Sequence, residues 1–268
     1  MFAQRIEGEA AVQGRVQKRD RDRVAALENG LRALAAFSSA QQWLTLSEVA
    51  RQAGLTRAAA RRYLLTLTAA GYAETDGKRF QLTPRVLRLG FAYLSSVRLP
   101  QIAQPIVEAI GEQAEEAAAL AVLDGSETMI VATSQSRRII GIFARLGTHL
   151  PAFSGSTGRV LMAGKTDEIV AQRLTRAGPI RKLTPKTKTS PADILDEIRR
   201  VREQGYAVND EEIEIGLRVI SVPVRNSVGA VVAAMCISTH SGRFEADQLK
   251  SRFLPQLTAA SHQLGLLL

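Results

Sequence analysis

Apolar positions along this chain follow two rhythms: helical spacing in the first 120 residues or so, then short strand-like runs. Val24, Leu27, Leu31, Leu34 and Phe37 keep helical spacing, which predicts a helix over residues 23–38 whose apolar face packs on the elements that follow. Val49, Ala50 and Ala53 then give a short second helix its apolar face. Thr45 and Glu48 in front of it have capping-box spacing, and Gly54 sits where a left-handed residue ends a helix. Leu55 plugs the turn. Thr56 is a suitable N-cap for a third helix from Arg57 to about Ala70, with Ala60, Leu64 and Leu67 as its buried stripe. Gly71 stops it. Residues 72–74 and 79–82 read as two strands joined across Asp76-Gly77, a hairpin dipeptide. Helix, tight turn, helix and hairpin in that order form a winged helix-turn-helix, which lays its second motif helix in the DNA major groove.

Beyond the wing, Thr83 and Pro84 mark a sharp helix start. The helix predicted over residues 84–97 carries Val86, Leu87, Leu89, Phe91, Tyr93 and Leu94 on more than one side. Such a helix packs on its own domain or on a second copy of the chain; the latter would match a two-fold DNA site. Leu99-Pro100 marks a join, and a helix over 101–118 enters a second region. There the pattern turns to β-runs at 118–123, 129–133, 139–143, 206–208, 218–224 and 229–238. Helices are expected after Gly158, over 166–176, from Pro191 to Glu203 and from Phe244 to about Leu266. The fold class is therefore α+β, with a mostly antiparallel sheet. The division is a disordered basic arm (1–22), a winged helix-turn-helix (23–83), a linker or dimerisation helix (84–100) and a second domain (101–268).

Charge sharpens this division. The chain of 268 residues has a formal charge of +9. Residues 1–98 hold sixteen Lys and Arg against eight Asp and Glu, a surplus of eight. Phosphate attraction is the first signature of a nucleic-acid binder. The candidate DNA-contact set is Ser47, Thr56, Arg57, Ala58, Ala59, Arg61, Arg62 and the wing residues Lys78 and Arg79; charged helix faces are also commonly just solvated. Trp43, the single tryptophan, reads as core or interface rather than as a base-stacking residue. One cysteine, Cys236, excludes an internal disulfide framework and fits a reducing compartment. The first residues have no apolar signal segment and no apolar run approaches a membrane span, so a cytoplasmic protein without membrane association is expected.

Enzyme chemistry finds no support in the residues. His149, His240 and His262 are far apart, without metal-ligand spacing, and no CxxC, HExxH, GxSxG or Walker string occurs. Neither a metal nor a cofactor is expected. Two segments could instead bind a small ligand. Ser154-Gly155-Ser156-Thr157-Gly158 precedes a helix and either exposes backbone amides to an anion or is an ordinary Gly-rich cap. In Asn209-Asp210-Glu211-Glu212 with Gly216-Leu217-Arg218, the arginine could grip a carboxylate bidentately or pair internally with Glu211 or Glu212.

Five stretches carry a resemblance: LTLSEVARQAGLTRAAARRYLLTL with the wing after it, LTPRVLRLGFAYLSS, GTHLPAFSGSTGRVLMAG and GYAVNDEEIEIGLRVISVPV. Over nearly its whole length the chain resembles the IclR family of bacterial transcription regulators, and most of all the branch controlling aromatic catabolism through the β-ketoadipate pathway. The resemblance implies a winged helix-turn-helix joined by a linker helix to a GAF-like effector-binding domain. It implies a homodimer or homotetramer, a double-stranded DNA operator and a small organic or aromatic acid effector. It places the effector against Leu146, Gly147, Ser154, Gly155, Ser156, Asn209, Val219, Cys236 and Ser238, with Arg218 as a further candidate. The competing reading is a constitutive DNA-binding protein whose second domain only oligomerises.

Overall fold

A computed structural model describes residues 23–37, 42–134 and 145–268. The predicted basic arm and the strand expected at 139–143 lie outside the described residues. The chain divides into two compact units, Met1–Tyr93 and Leu94–Leu268.

The first unit contains α1 (Ala25–Ala35), β1 (Leu44–Thr45), α2 (Leu46–Ala53), α3 (Arg57–Ala69), β2 (Ala73–Thr75) and β3 (Arg79–Leu82). Its local chemistry is as expected. The Thr45 hydroxyl accepts from the Glu48 amide at 3.3 Å, and Glu48 accepts from the Thr45 amide at 2.7 Å, a reciprocal capping box. Gly54 is left-handed at φ 64°, and the Leu55 amide donates back to the Ala50 carbonyl at 2.8 Å. Val49, Ala53, Leu64 and Phe80 share a core with Ala33, Ala36 and Leu44. The wing holds a third strand that sequence periodicity missed: β1 pairs antiparallel with β3, Leu44 opposite Phe80 and Thr45 opposite Arg79. Two residues are too short to show an alternation.

Two expectations are corrected here. Helix α1 and its C-cap bury Ala33 and Ala36, and Phe37 of the predicted face packs against this core, while Val24, Leu27 and Leu31 are 64%, 64% and 56% exposed. At 3.6 residues per turn Leu31 and Ala33 lie about 200° apart, so the leucine stripe and the core contact are different faces. Small side chains take the core face, where α1 packs on α2 and α3. The helix expected over residues 84–97 is a single 3-10 turn (Pro84–Val86) followed by α4 (Leu87–Ser96). Leu99 and Pro100 are no join: they lie in the first turn of α5 (Arg98–Ala114), where proline loses no intrahelical bond. Helix α5 ends at Glu115 in a left-handed conformation, earlier than the alanine-rich sequence suggests, because Ala117 already belongs to a strand.

The second unit is built on a six-stranded antiparallel sheet of order β6-β5-β4-β9-β8-β7. These strands are β4 (Ala117–Asp124), β5 (Glu127–Thr133), β6 (His149–Pro151), β7 (Ala207–Asp210), β8 (Leu217–Arg225) and β9 (Val231–His240). Helices α5 and α9 (Ala246–Leu266) cover one face over Leu120, Ile220, Met235 and Ile237. The opposite face carries Ala117, Ala119, Ala121, Val219 and Cys236. There α6 (Ser156–Ala163) packs, backed by α7 (Asp167–Ala177) and α8 (Pro191–Gln204). A Cβ on Gly158 would lie 2.0 Å from the Ala152 carbonyl oxygen, so only glycine lets α6 sit this close to the turn that feeds it.

Candidate DNA-reading surface and effector site

The DNA-reading candidates occupy one exposed face. Helix α3 buries Ala60 and Leu64, and Thr56 caps it by accepting from the Ala59 amide at 3.2 Å. Arg57, Ala58, Arg61 and Arg62 are exposed and Ala59 is half-buried. None of the three arginines has an ion pair among the described residues. Ser47 is exposed on the first turn of α2.

On the wing, the Asp76 carboxylate organises the turn. Its Oδ1 accepts from the amides of Lys78 at 2.9 Å and Arg79 at 2.7 Å, while its Oδ2 meets the Arg79 guanidinium at 3.0 Å. The Arg79 and Lys78 amides, with the guanidinium adding to them, hold the Asp76 carboxyl down from 3.8 to about 2. A carboxyl depressed on folding stabilises the folded wing above its unfolded value and loses that contribution as pH falls through the folded one. The Lys78 and Arg79 amides are therefore expected to stay protected from hydrogen exchange at pH 4 and to lose protection between pH 4 and 2.

In the second unit, strand register gathers the effector candidates. Asn209 pairs with Val219, Val219 with Ser238, and Ser238 with Ala117; one step along, Ala207 pairs with Ser221, Ser221 with Cys236, and Cys236 with Ala119. Paired residues share a sheet face, so Asn209, Val219, Ser221, Cys236 and Ser238 form one patch. The Ser154–Ser156 turn is tied onto it: Asn209 Nδ2 donates to the Ser154 carbonyl at 2.8 Å, and the Ser156 and Ser221 hydroxyls lie 2.8 Å apart. No side chain caps α6, whose N-cap position is Gly155. Asn209 Oδ1 and Ser154 Oγ are buried beside this helix start without a hydrogen-bond partner among the described residues. Leu146 is half exposed, and Gly147, left-handed at φ 78°, donates to the Ile130 carbonyl on β5 at 2.8 Å. The described hydrogen bond of Gly147 runs to β5 rather than to the Ser154–Asn209 pair.

Arg218 is corrected. Side chains alternate along a strand, so Arg218 faces away from Val219. Its guanidinium binds Asp210 at 2.6 Å and the carbonyls of Ser241 and Phe244 at 2.8 and 2.6 Å. It pairs internally, but with Asp210 rather than Glu211 or Glu212. Glu211 binds Lys186 at 2.6 Å. Glu212 is held by a residue that sequence reasoning passed over: Arg159, fully buried on α6, makes two 2.6 Å bonds to the Glu212 carboxylate and donates to the Phe153 carbonyl at 3.2 Å. An arginine inside GSTGR, on a helix otherwise apolar and small, was the available signal: buried arginine needs a carboxylate.

Burial pushes the Cys236 thiol up to about 12. The thiolate is the reactive form, so Cys236 is expected to stay unmodified by a disulfide reagent at pH 8 in the folded protein and to react on unfolding in urea.

Comparison with known proteins agrees with both halves. Residues 26–77 match the IclR helix-turn-helix domain and residues 91–266 match the bacterial transcriptional regulator IclR C-terminal domain. The chain is 40% identical over 246 residues to the Pca regulon regulatory protein of Pseudomonas putida, covering 91% of this chain and 84% of that one. It is 36% identical to the p-hydroxybenzoate hydroxylase transcriptional activator of Acinetobacter baylyi, covering 92% of each. The inducer-binding domain of an Acinetobacter PobR transcription factor, a double mutant solved with 3-hydroxybenzoic acid, is 29% identical. It superposes with a TM-score of 0.60, covering 63% of this chain and 98% of that one. A winged helix-turn-helix, a sheet-and-helix C-terminal domain and these relatives together place the chain in the IclR family of bacterial transcriptional regulators, alongside its β-ketoadipate-pathway members.

Proposed function

We propose that this regulator responds to a hydroxylated aromatic acid and controls genes for aromatic-acid breakdown. The observation that carries this reading is the buried polar pair beside the start of α6. Asn209 spends its Nδ2 on the Ser154 carbonyl, so its Oδ1 is left as an acceptor that suits a ligand hydroxyl. The uncapped helix start suits a carboxylate. Burying an acceptor without a partner costs about 1–3 kcal/mol, and a ligand O–H removes that cost. Val219, Cys236 and Ser238 line the adjoining sheet patch, with Gly155 and Ser156 at the helix start and Leu146 and Gly147 nearer its rim.

The regulator works as a homodimer or homotetramer on a double-stranded operator. The exposed stripes Val24–Leu27–Leu31 on α1 and Leu87–Leu89–Phe91 on α4 suit a contact between copies, which would present two α3 helices to successive major grooves. Arg57, Arg61 and Arg62 supply the contacts to bases and phosphates, with Ser47, Thr56, Ala58 and Ala59 against the backbone. The effector biases the spacing of the two reading heads through its differential affinity for two arrangements.

The test is thermal unfolding of the full chain with protocatechuate, 4-hydroxybenzoate or benzoate. At about 100 times the dissociation constant a bound effector adds ~2.7 kcal/mol. Stabilisation by a hydroxylated acid and none by benzoate supports the reading. Stabilisation by none of them leaves either a different effector or a second domain that only assembles the protein.

A further inference from the structure

The wing carries two cations side by side, and the structure treats them differently. The Arg79 guanidinium lies 5.5 Å over the ring of Trp43 and 3.0 Å from Asp76 Oδ2. Its backbone is fixed as well: the Arg79 amide donates to Asp76 Oδ1, and its carbonyl accepts from the Thr75 hydroxyl at 2.7 Å. Trp43 reaches this position because β1 begins at the next residue and pairs with β3, setting Thr45 opposite Arg79. Lys78 is exposed, and its side chain has no partner among the described residues.

Resting on the DNA-binding reading above, we propose that Trp43 and Asp76 hold Arg79 within the wing. Arg79 is then a positioning residue that presets the hairpin, and Lys78 is the wing's phosphate-contacting cation. A guanidinium stacked on an indole and paired with a carboxylate is already neutralised; drawing it to a phosphate would forfeit both contacts and strand Asp76 beside the polyanion. Lys78 has nothing to give up. The sequence ranks the two equally, since both are basic residues on one turn.

The test uses the full chain and a mixed-sequence DNA duplex titrated across NaCl concentrations. Each phosphate contact contributes about 0.9 to the slope of log affinity against log salt. Lys78→Ala is expected to lower the slope by about 0.9. The double variant Asp76→Asn/Arg79→Gln keeps the turn-capping acceptor and the net charge, and is expected to leave the slope unchanged. Because Trp43 is the single tryptophan, its emission reports the stack directly: it should shift in the double variant without DNA, and stay fixed in the unsubstituted chain when DNA is added. Trp43→Phe should retain the affinity that Trp43→Ala loses. A slope lowered by the double variant, a slope untouched by Lys78→Ala, or a wild-type emission that moves to the double variant's position on adding DNA overturns the brace. A wild-type chain with no salt-dependent DNA affinity overturns the DNA-binding reading itself, and the brace with it.

Discussion

Glu212→Ala is expected to lower the unfolding free energy of the C-terminal unit by about 3–5 kcal/mol, the range for breaking a buried ion pair by removing one partner. Arg159 has no exposed surface, and both of its terminal nitrogens are committed to Glu212 at 2.6 Å. Truncating Glu212 leaves a guanidinium in the interior with one remaining described bond, from Nε to the Phe153 carbonyl. The damage would spread, because the Glu212 carboxylate also anchors a loop: its Oε2 accepts from the Lys188 amide at 3.4 Å. Replacing both members by apolar residues of similar length, Arg159→Met with Glu212→Leu, removes the stranded charge and should recover most of the loss. Urea unfolding of the three proteins measures this. A single-variant loss below about 1 kcal/mol, the level of an exposed pair, would mean that water reaches this pair in solution.

The second large effect is on DNA. Replacing Arg57, Arg61 and Arg62 together by alanine should lower the salt slope of duplex binding by roughly two, as two or three phosphate contacts are lost at about 0.9 each. Helix α3 should persist, since the three side chains are exposed while Ala60 and Leu64 are buried and alanine has the best helix propensity. Circular dichroism separates the effects: unchanged helicity with a smaller slope assigns α3 to the DNA. An unchanged slope assigns the contacts elsewhere.

Local rules made the first unit largely legible. Thr45, Glu48, Gly54, Thr56 and Gly71 act within five residues of themselves, so capping chemistry alone locates α2, the turn and α3. Packing between elements was less legible. The leucines of α1 outrank its alanines on any hydrophobicity scale, yet Ala33 and Ala36 take the core position because a close helix contact favours small side chains. In the second unit, short apolar runs revealed β4, β5, β7, β8 and β9 to within a few residues and missed the three-residue β6, and they did not show which residues oppose each other. That register sets Asn209 and Val219 in one row and turns Arg218 to the other face. Arg159 and Glu212 are 53 positions apart, and nothing local in either segment names the other as its partner.

The most direct test of the central claim is the affinity of the full chain for one duplex, selected by the protein from a random pool, with and without saturating hydroxylated aromatic acid. A ligand that biases the two reading heads must change that affinity, and couplings of this kind amount to about 1–3 kcal/mol, or roughly 5- to 150-fold. A change in that range, in either direction, with 4-hydroxybenzoate or protocatechuate and none with benzoate is the predicted result. Equal DNA affinity with and without an acid that demonstrably binds would contradict the account.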